Sequence, residues 1–327
     1  MNLALRLAPR LAACAAALLL LASPTRAADG PLNVLTTTTD LAELVRTIGG
    51  DRVVVESLCS GPEDPHFLDA RPSFIRMAGR ADLLVFVGME LEVGYLPLML
   101  RDGSNPRIRP GTPGYLDASA RIRKLEVPEG GVSRAQGDVH SGGNPHYLLD
   151  PANSVVVADD VARALATLRP DGAKAFDERA KAYRKEISDL LLGTAPEGVT
   201  KGRRTGGLLE RFKPYKGASI VSYHRDMVYL AQRFGLEVLG TLEPKPGIPP
   251  TASHLADLAE RARAGKVKAV LYEVFHSAAQ VEAFASSVGA KAVRIAHQPG
   301  ATADAVGLVG TYRRNAEVLL AALGSTK

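Results

Sequence analysis

Ala173, Phe176, Ala180, Tyr183, Ile187 and Leu190 are spaced alternately three and four residues apart. That period puts one apolar stripe along an α-helix. A helix of about 20 residues is roughly 30 Å long, enough to cross a domain. On both sides of it the chain keeps a different rhythm, strand-like runs alternating with helical ones. The stripe therefore predicts a connector between two folded lobes. Before it, Asn33–Thr37, Arg52–Leu58 and Asp82–Val87 read as strands. Helices are predicted from a capped start at Asp40 to Gly49-Gly50, over Pro72–Gly79 and over Glu90–Leu100. After it, Ala218–Ser222, Glu237–Leu242, Ala269–Glu273 and Ala292–Ile295 read as strands. The helices there are Met227–Phe234, Ala252–Ala264, Ala278–Val288 and Leu308–Leu323. Such alternation predicts an α/β fold: two lobes, each a parallel sheet flanked by helices, joined by the long rigid helix. Residues 102–143 break the rhythm with prolines, glycines and arginines. They read mostly as loop, mobile over 126–143.

The expected organisation is a signal peptide at 1–27, an N-terminal lobe at 28–170, the connecting helix at 171–193 and a C-terminal lobe at 194–327. Arg6 and Arg10 precede an apolar run, Leu11–Ala22, too short to span a bilayer, and Thr25-Arg26-Ala27 suits cleavage. Leu11-Ala12-Ala13-Cys14 resembles a lipid-attachment box, but most of the apolar run follows the cysteine, so anchoring at Cys14 is not expected. The signal carries three arginines and no acids, so its removal lowers the formal charge from +5 to +2. No nucleic-acid partner follows from that balance. The mature chain keeps only Cys59 and so has no internal disulfide. A monomer in the periplasm is the expectation.

Three histidines sit where chemistry is expected. In Asn144-Pro145-His146 a proline restricts the turn that carries the imidazole, and Asp150-Pro151 then caps and opens a helix. Asp64-Pro65-His66 repeats the Pro-His pair, and His224 follows the strand ending at Ser222. In open α/β sheets, ligands bind beyond the carboxyl ends of the strands. By that rule His66, His146, His224, Glu273 and His297 can face one cleft between the lobes. Neutral imidazoles suit Zn²⁺, whereas manganese prefers oxygen ligands. His254 reads as a surface residue on a helix and His276 as structural, at a helix start. His140, in the loop, reads as a residue that captures metal on its way in.

These motifs together carry a resemblance. Asp64-Pro65-His66, Asn144-Pro145-His146 with Leu149-Asp150-Pro151, Ser222-Tyr223-His224 with Tyr229–Leu236, Glu243-Pro244, and Thr311-Tyr312 with Asn315 span the mature chain. The chain resembles the metal-binding solute receptors of bacterial zinc and manganese ABC importers, zinc branch. The resemblance implies a periplasmic protein that captures Zn²⁺ and delivers it to an inner-membrane ABC permease, with a periplasmic metallochaperone as a further partner. It implies His66, His146 and His224 as ligands, and no enzyme. His297 stands where the family usually has an aspartate. It is expected as the fourth ligand, with Glu273 behind it, though Glu273 or water could take that place. A histidine-rich loop is reduced to His140. The alternatives are a manganese or other divalent metal receptor, and a secreted zinc hydrolase. For the hydrolase there is no His-Glu-x-x-His helix and no nucleophile with a placed base.

Overall fold

The computed structural model describes residues 30–130, 140–195 and 204–324. The predicted signal with Cys14, the centre of the long loop at 131–139 and most of the basic run at 201–204 lie outside these residues. In the first lobe β1 (Leu32–Thr36), α1 (Thr39–Gly49), β2 (Val53–Ser57), α2 (Pro72–Arg80), β3 (Leu83–Phe86), α3 (Leu96–Gly103) and β4 (Tyr115–Asp117) follow in order. Then α4 (Pro151–Leu168) and α5 (Ala173–Leu192) lead to a small antiparallel pair, β5 (Gly193–Thr194) and β6 (Thr205–Gly206). The second lobe holds α6 (Leu208–Phe212), β7 (Ser219–Ser222), α7 (Val228–Phe234), β8 (Glu237–Thr241) and α8 (Ala252–Ala264). It closes with β9 (Ala269–Tyr272), α9 (Ala278–Ser287), β10 (Lys291–Arg294) and α10 (Leu308–Leu323).

Both large sheets are parallel and share one topology. The first has the order β2-β1-β3-β4, and the second, read the same way, β8-β7-β9-β10. Connections diverge in opposite directions from the β1/β3 and β7/β9 neighbours, which puts a crevice at the carboxyl ends of those strands.

Strand side chains alternate between two apolar environments, as burial on both faces requires. Leu83, Val85, Ile220, Ala269 and Leu271 point into one core that also holds Phe176, Tyr183 and Ile187 of α5 and Leu319 and Leu323 of α10. Leu84 and Phe86 face a separate core under α2 and α3, and Val221, Val270 and Tyr272 face another under α8 and α9. The predicted stripe on α5 is thus the middle of a core common to both sheets. Tyr183 adds a buried hydrogen bond, its hydroxyl donating to Ser154 Oγ at 2.8 Å on α4.

Three local expectations change. No helix runs from Glu90: α3 begins at Leu96. The buried Glu92 carboxylate instead accepts from Val87 N (2.7 Å), Gly88 N (3.1 Å) and the Thr37 hydroxyl (2.7 Å). Met89 and Glu90, with φ of 51° and 68°, turn the chain there. The stretch read as loop contains β4, which edges the first sheet. Asp40 lies inside α1, which starts at Thr39, and its carboxylate accepts from Leu41 N at 2.7 Å.

Phe176 is fully buried in the shared core. Phe176→Ala should cost about 3–5 kcal/mol in urea unfolding, whereas Val306→Ala, at a residue 75% exposed, should change little. Because the core runs through both sheets, tyrosine fluorescence and far-UV dichroism should report one transition. Two separated transitions would contradict a common core.

Candidate metal centre

His66 comes from the loop after β2. Asp64 accepts from His66 N at 3.0 Å, and the same oxygen lies 2.8 Å from Nδ1. The carboxylate therefore fixes the ring with its proton on Nδ1 and the lone pair on Nε2. His224 is built the same way in the other lobe: its Nδ1 lies 2.7 Å from Glu243 Oε2, just beyond β8. His146 follows Asn144, whose Oδ1 accepts from His146 N at 3.0 Å. The turn 147–149 then feeds α4, where Asp150 caps Ala152 N at 2.9 Å as expected.

These three rings meet. Their centroids are 5.1 Å (His66–His146), 5.3 Å (His66–His224) and 5.4 Å (His146–His224) apart. One nitrogen from each lies within 4.8 Å of the others, the only such group found among the described residues. His66 Nε2 and His146 Nε2 are buried without a protein hydrogen-bond partner. An imidazole nitrogen left so is an acceptor with its lone pair unused, which suits a cation and not an anion. Burial, with the neighbouring histidines adding to it, pushes the His146 pKa well below its ordinary value, so the ring is neutral. Burial also pulls on His224, but the Glu243 hydrogen bond and the charges of Asp226, Glu243 and Asp64 outweigh it and raise its pKa.

The other sequence candidates fall around this group. His297 is not within it. Its Nε2 donates to the backbone carbonyl of Glu63 at 3.1 Å, and its ring packs edge-on against Phe275. Burial lowers its pKa to about 4. Glu273 is 1% exposed at the end of β9 and faces the same chamber. Burial raises its pKa to about 7 and drives that of Asp226 well above the carboxylate range. His276 Nε2 lies 3.3 Å from Glu273 Oε2. His276 itself stacks on Tyr223 at 3.9 Å. His254 lies on α8 with Nε2 2.8 Å from the Thr241 carbonyl, away from the group. His140 stands beside it: its ring is 5.5 Å from that of His66, with Nε2 buried and unpartnered. Burial lowers its pKa to about 4. Ser141 holds that loop end, its N and Oγ donating to the Glu90 carboxylate at 2.7 and 2.6 Å.

Several residues that position the site were not singled out as such. Asp64 and Glu243 appeared only within motifs, although Asp64, a carboxylate two residues before a predicted ligand, is a readable signal. Arg233 forks onto Asp150 with bonds of 2.7 and 2.8 Å. Asn144 Nδ2 donates to the carbonyl of Arg225 at 2.7 Å. Both tie α7 and the His224 loop to the segment that carries His146. These pairings join residues some 80 positions apart, which no local pattern reveals.

Comparison with known proteins places the geometry. The family model described as zinc-uptake complex component A, periplasmic (ZnuA), matches residues 34–194 and 206–322. A zinc-binding lipoprotein of Streptococcus pneumoniae, AdcA, is 24% identical over 284 residues, covering 86% of this chain and 53% of its own length. The manganese ABC transporter substrate-binding lipoprotein PsaA of the same species is 25% identical over 50% of this chain and 51% of its own. The chain thus spans about half the length of these curated relatives. A crystal structure of ZnuA aligns with a TM-score of 0.71 at 20% identity, covering 90% of this chain and all of that one. The Mn-bound periplasmic metal-binding protein of Candidatus Liberibacter asiaticus aligns at 0.70 and 21% identity, over 89% of this chain and 99% of its own. At such identities these alignments establish the fold.

If Glu243 holds the His224 tautomer, Glu243→Gln should weaken divalent metal binding about 10- to 100-fold, and Asp64→Asn should do the same through His66. Competition against a chelator measures both. Unchanged affinity in either variant would remove that carboxylate from the site.

Proposed function

Because the chain belongs to the zinc-uptake complex component A family, we propose that it is an exported receptor that captures Zn²⁺ and hands it to an ABC-type permease in the inner membrane. The observation that carries this reading is the convergence of His66, His146 and His224 from both lobes, with buried ring nitrogens and carboxylates fixing two of the tautomers. Zinc is favoured over manganese by the donor set, since neutral imidazoles suit the softer ion and manganese prefers oxygen. The predicted signal supports a periplasmic location, soluble and without attachment at Cys14.

For the fourth position the reading moves from His297 to His140. His297 and His140 both lie outside the three-histidine group; the Nε2 of His297 is committed to the Glu63 carbonyl, which leaves only its buried Nδ1 to offer. His140 offers a buried, unpartnered Nε2 beside His66, on a loop end clasped by Glu90. Four neutral imidazoles leave the ion its full charge, which Asp64 and Glu243 offset from behind the rings.

Protein purified without added metal should carry a single equivalent of zinc per chain. His66→Ala, His146→Ala and His224→Ala should each weaken zinc binding by a factor of 100 or more, and His254→Ala should leave it unchanged. His140→Ala should cost more affinity than His297→Ala; the reverse order would return His297 to the coordination sphere. Zinc-dependent ester or peptide hydrolysis would favour the hydrolase reading.

Acid should compete with the ion. His224 binds its proton more tightly than a free histidine, so zinc must displace that proton at pH values already above about 6.5. Affinity should fall by about tenfold for each pH unit below that, per proton displaced. Affinity that stays flat from pH 7 to pH 5 in a chelator titration would rule out a histidine site.

A further inference from the structure

The segment Ala296–Gly300 of the second lobe lies across the loop that carries His66 in the first. Gln298, 1% exposed, inserts its side chain into that loop. Its Nε2 donates to the Ser60 carbonyl at 2.9 Å and the Gly61 carbonyl at 3.2 Å, with Cys59 Sγ at 3.2 Å and the Glu63 carbonyl at 3.5 Å completing a cage of acceptors. Its Oε1 accepts from Thr39 N, at the start of α1, at 3.0 Å. Only this orientation of the amide matches donors to acceptors on both sides. Around it, the Thr39 hydroxyl donates to the Pro299 carbonyl at 2.7 Å and His297 Nε2 to the Glu63 carbonyl at 3.1 Å. The backbones touch at Gly61 and Gly300, where a Cβ on Gly61 would lie 2.2 Å from the Gly300 carbonyl carbon. Neither chain could come so close with a side chain at Gly61.

Both ends of this contact are anchored. In the second lobe Asn315 of α10 brackets Ala296, accepting from its N at 2.9 Å and donating to its carbonyl at 2.7 Å. In the first lobe the clamped loop runs from Glu63 directly into Asp64, whose carboxylate holds the ring and backbone of His66. A path of hydrogen bonds and short backbone links therefore leads from α10 to one imidazole of the centre.

We propose that Gln298 is a positioning residue for His66, the pin of an inter-lobe latch made by Ala296–Gly300 and residues 59–63, and that this latch sets how long a bound Zn²⁺ is retained. The proposal rests on the metal-receptor reading. His66 keeps its place against the other two rings only while the loop beneath it is held by the opposite lobe. Opening the latch displaces one ligand of four and leaves the ion on His140, His146 and His224. His297 adds to the latch through its Nε2, which holds the Glu63 carbonyl.

The test is zinc release from the loaded full-length protein into excess chelator, followed by stopped flow. Gln298→Met keeps the volume and removes the donors. It should release zinc roughly ten times faster or more, the loss expected of two or so buried hydrogen bonds, with association nearly unchanged. Gly61→Ala, which wedges the two backbones apart, should do likewise. Asn105→Ala is the control for stability alone. Asn105 is buried, donates to the carbonyls of Ala78 and Ala81 at 2.8 Å each, and lies on the outer face of the first lobe. It should lower the melting temperature and leave the release rate unaltered. Release from Gln298→Met within twofold of the parent overturns the latch, as does equal acceleration by Asn105→Ala. Failure of the parent itself to retain zinc would instead refute the receptor reading, so the two failures are distinguishable.

Discussion

The two halves of the metal centre come from two sheets, and they meet only because one apolar core runs through both. Phe176, Tyr183 and Ile187 of α5 pack in the same cluster as Val85 of the first sheet and Leu271 of the second. A receptor whose lobes were joined by a flexible strand pair could swing them apart at little cost. Here a hinge motion of that kind would expose the shared core. Each square ångström of apolar surface exposed costs roughly 25 cal/mol, so even a few hundred would strain a protein of ordinary stability. The lobes are therefore held, and the freedom left to the site lies in its loops.

Loops need their own constraints, and they are polar. Asp64 and Glu243 fix two imidazoles by their Nδ1 atoms, one in each lobe. Neither carboxylate is placed to be a ligand. Each sets which nitrogen faces the ion and lends negative charge from behind the ring. The buried Asp226–Glu273 pair behaves differently. Burial raises both pKa values, although His276 lies 3.3 Å from Glu273 and, with His224, pulls that of Asp226 back down. Raised pKa values work against full ionisation of the pair, and so against attraction of a harder, oxygen-seeking cation.

Much of this was readable in the sequence. The stripe at Ala173–Leu190 and the alternation around it gave the helices and strands nearly to the residue, because period and burial agree there. The three Pro-His or strand-end histidines could be chosen because the rule about carboxyl ends of strands needs only local placement. The features that local pattern did not reveal share one reason. Glu92 is held by the Thr37 hydroxyl, 55 positions away, as it turns back on Val87 and Gly88, and so replaces the predicted helix at Glu90 with a turn. β4 has only three residues and is held as a strand by its neighbour β3. The bond from His297 to Glu63 joins positions 234 residues apart. Tertiary partners decided each case, and a one-dimensional pattern carries no trace of them.

His297 holds a backbone of the other lobe through one ring nitrogen while the other stays buried without a partner. A carboxylate there could reach toward a cation but could not donate to the Glu63 carbonyl. An imidazole can donate, and the structure uses it so. Once that nitrogen is spent, the segment behind it works as a clamp, with Gln298 filling the cage beside it. The three-histidine group draws two rings from the first lobe, His66 and His146 with His140 near, and His224 alone from the second. A site so unequal need not open by parting the lobes. Movement of the His66 loop away from a second lobe that stays in place is enough to free the ion.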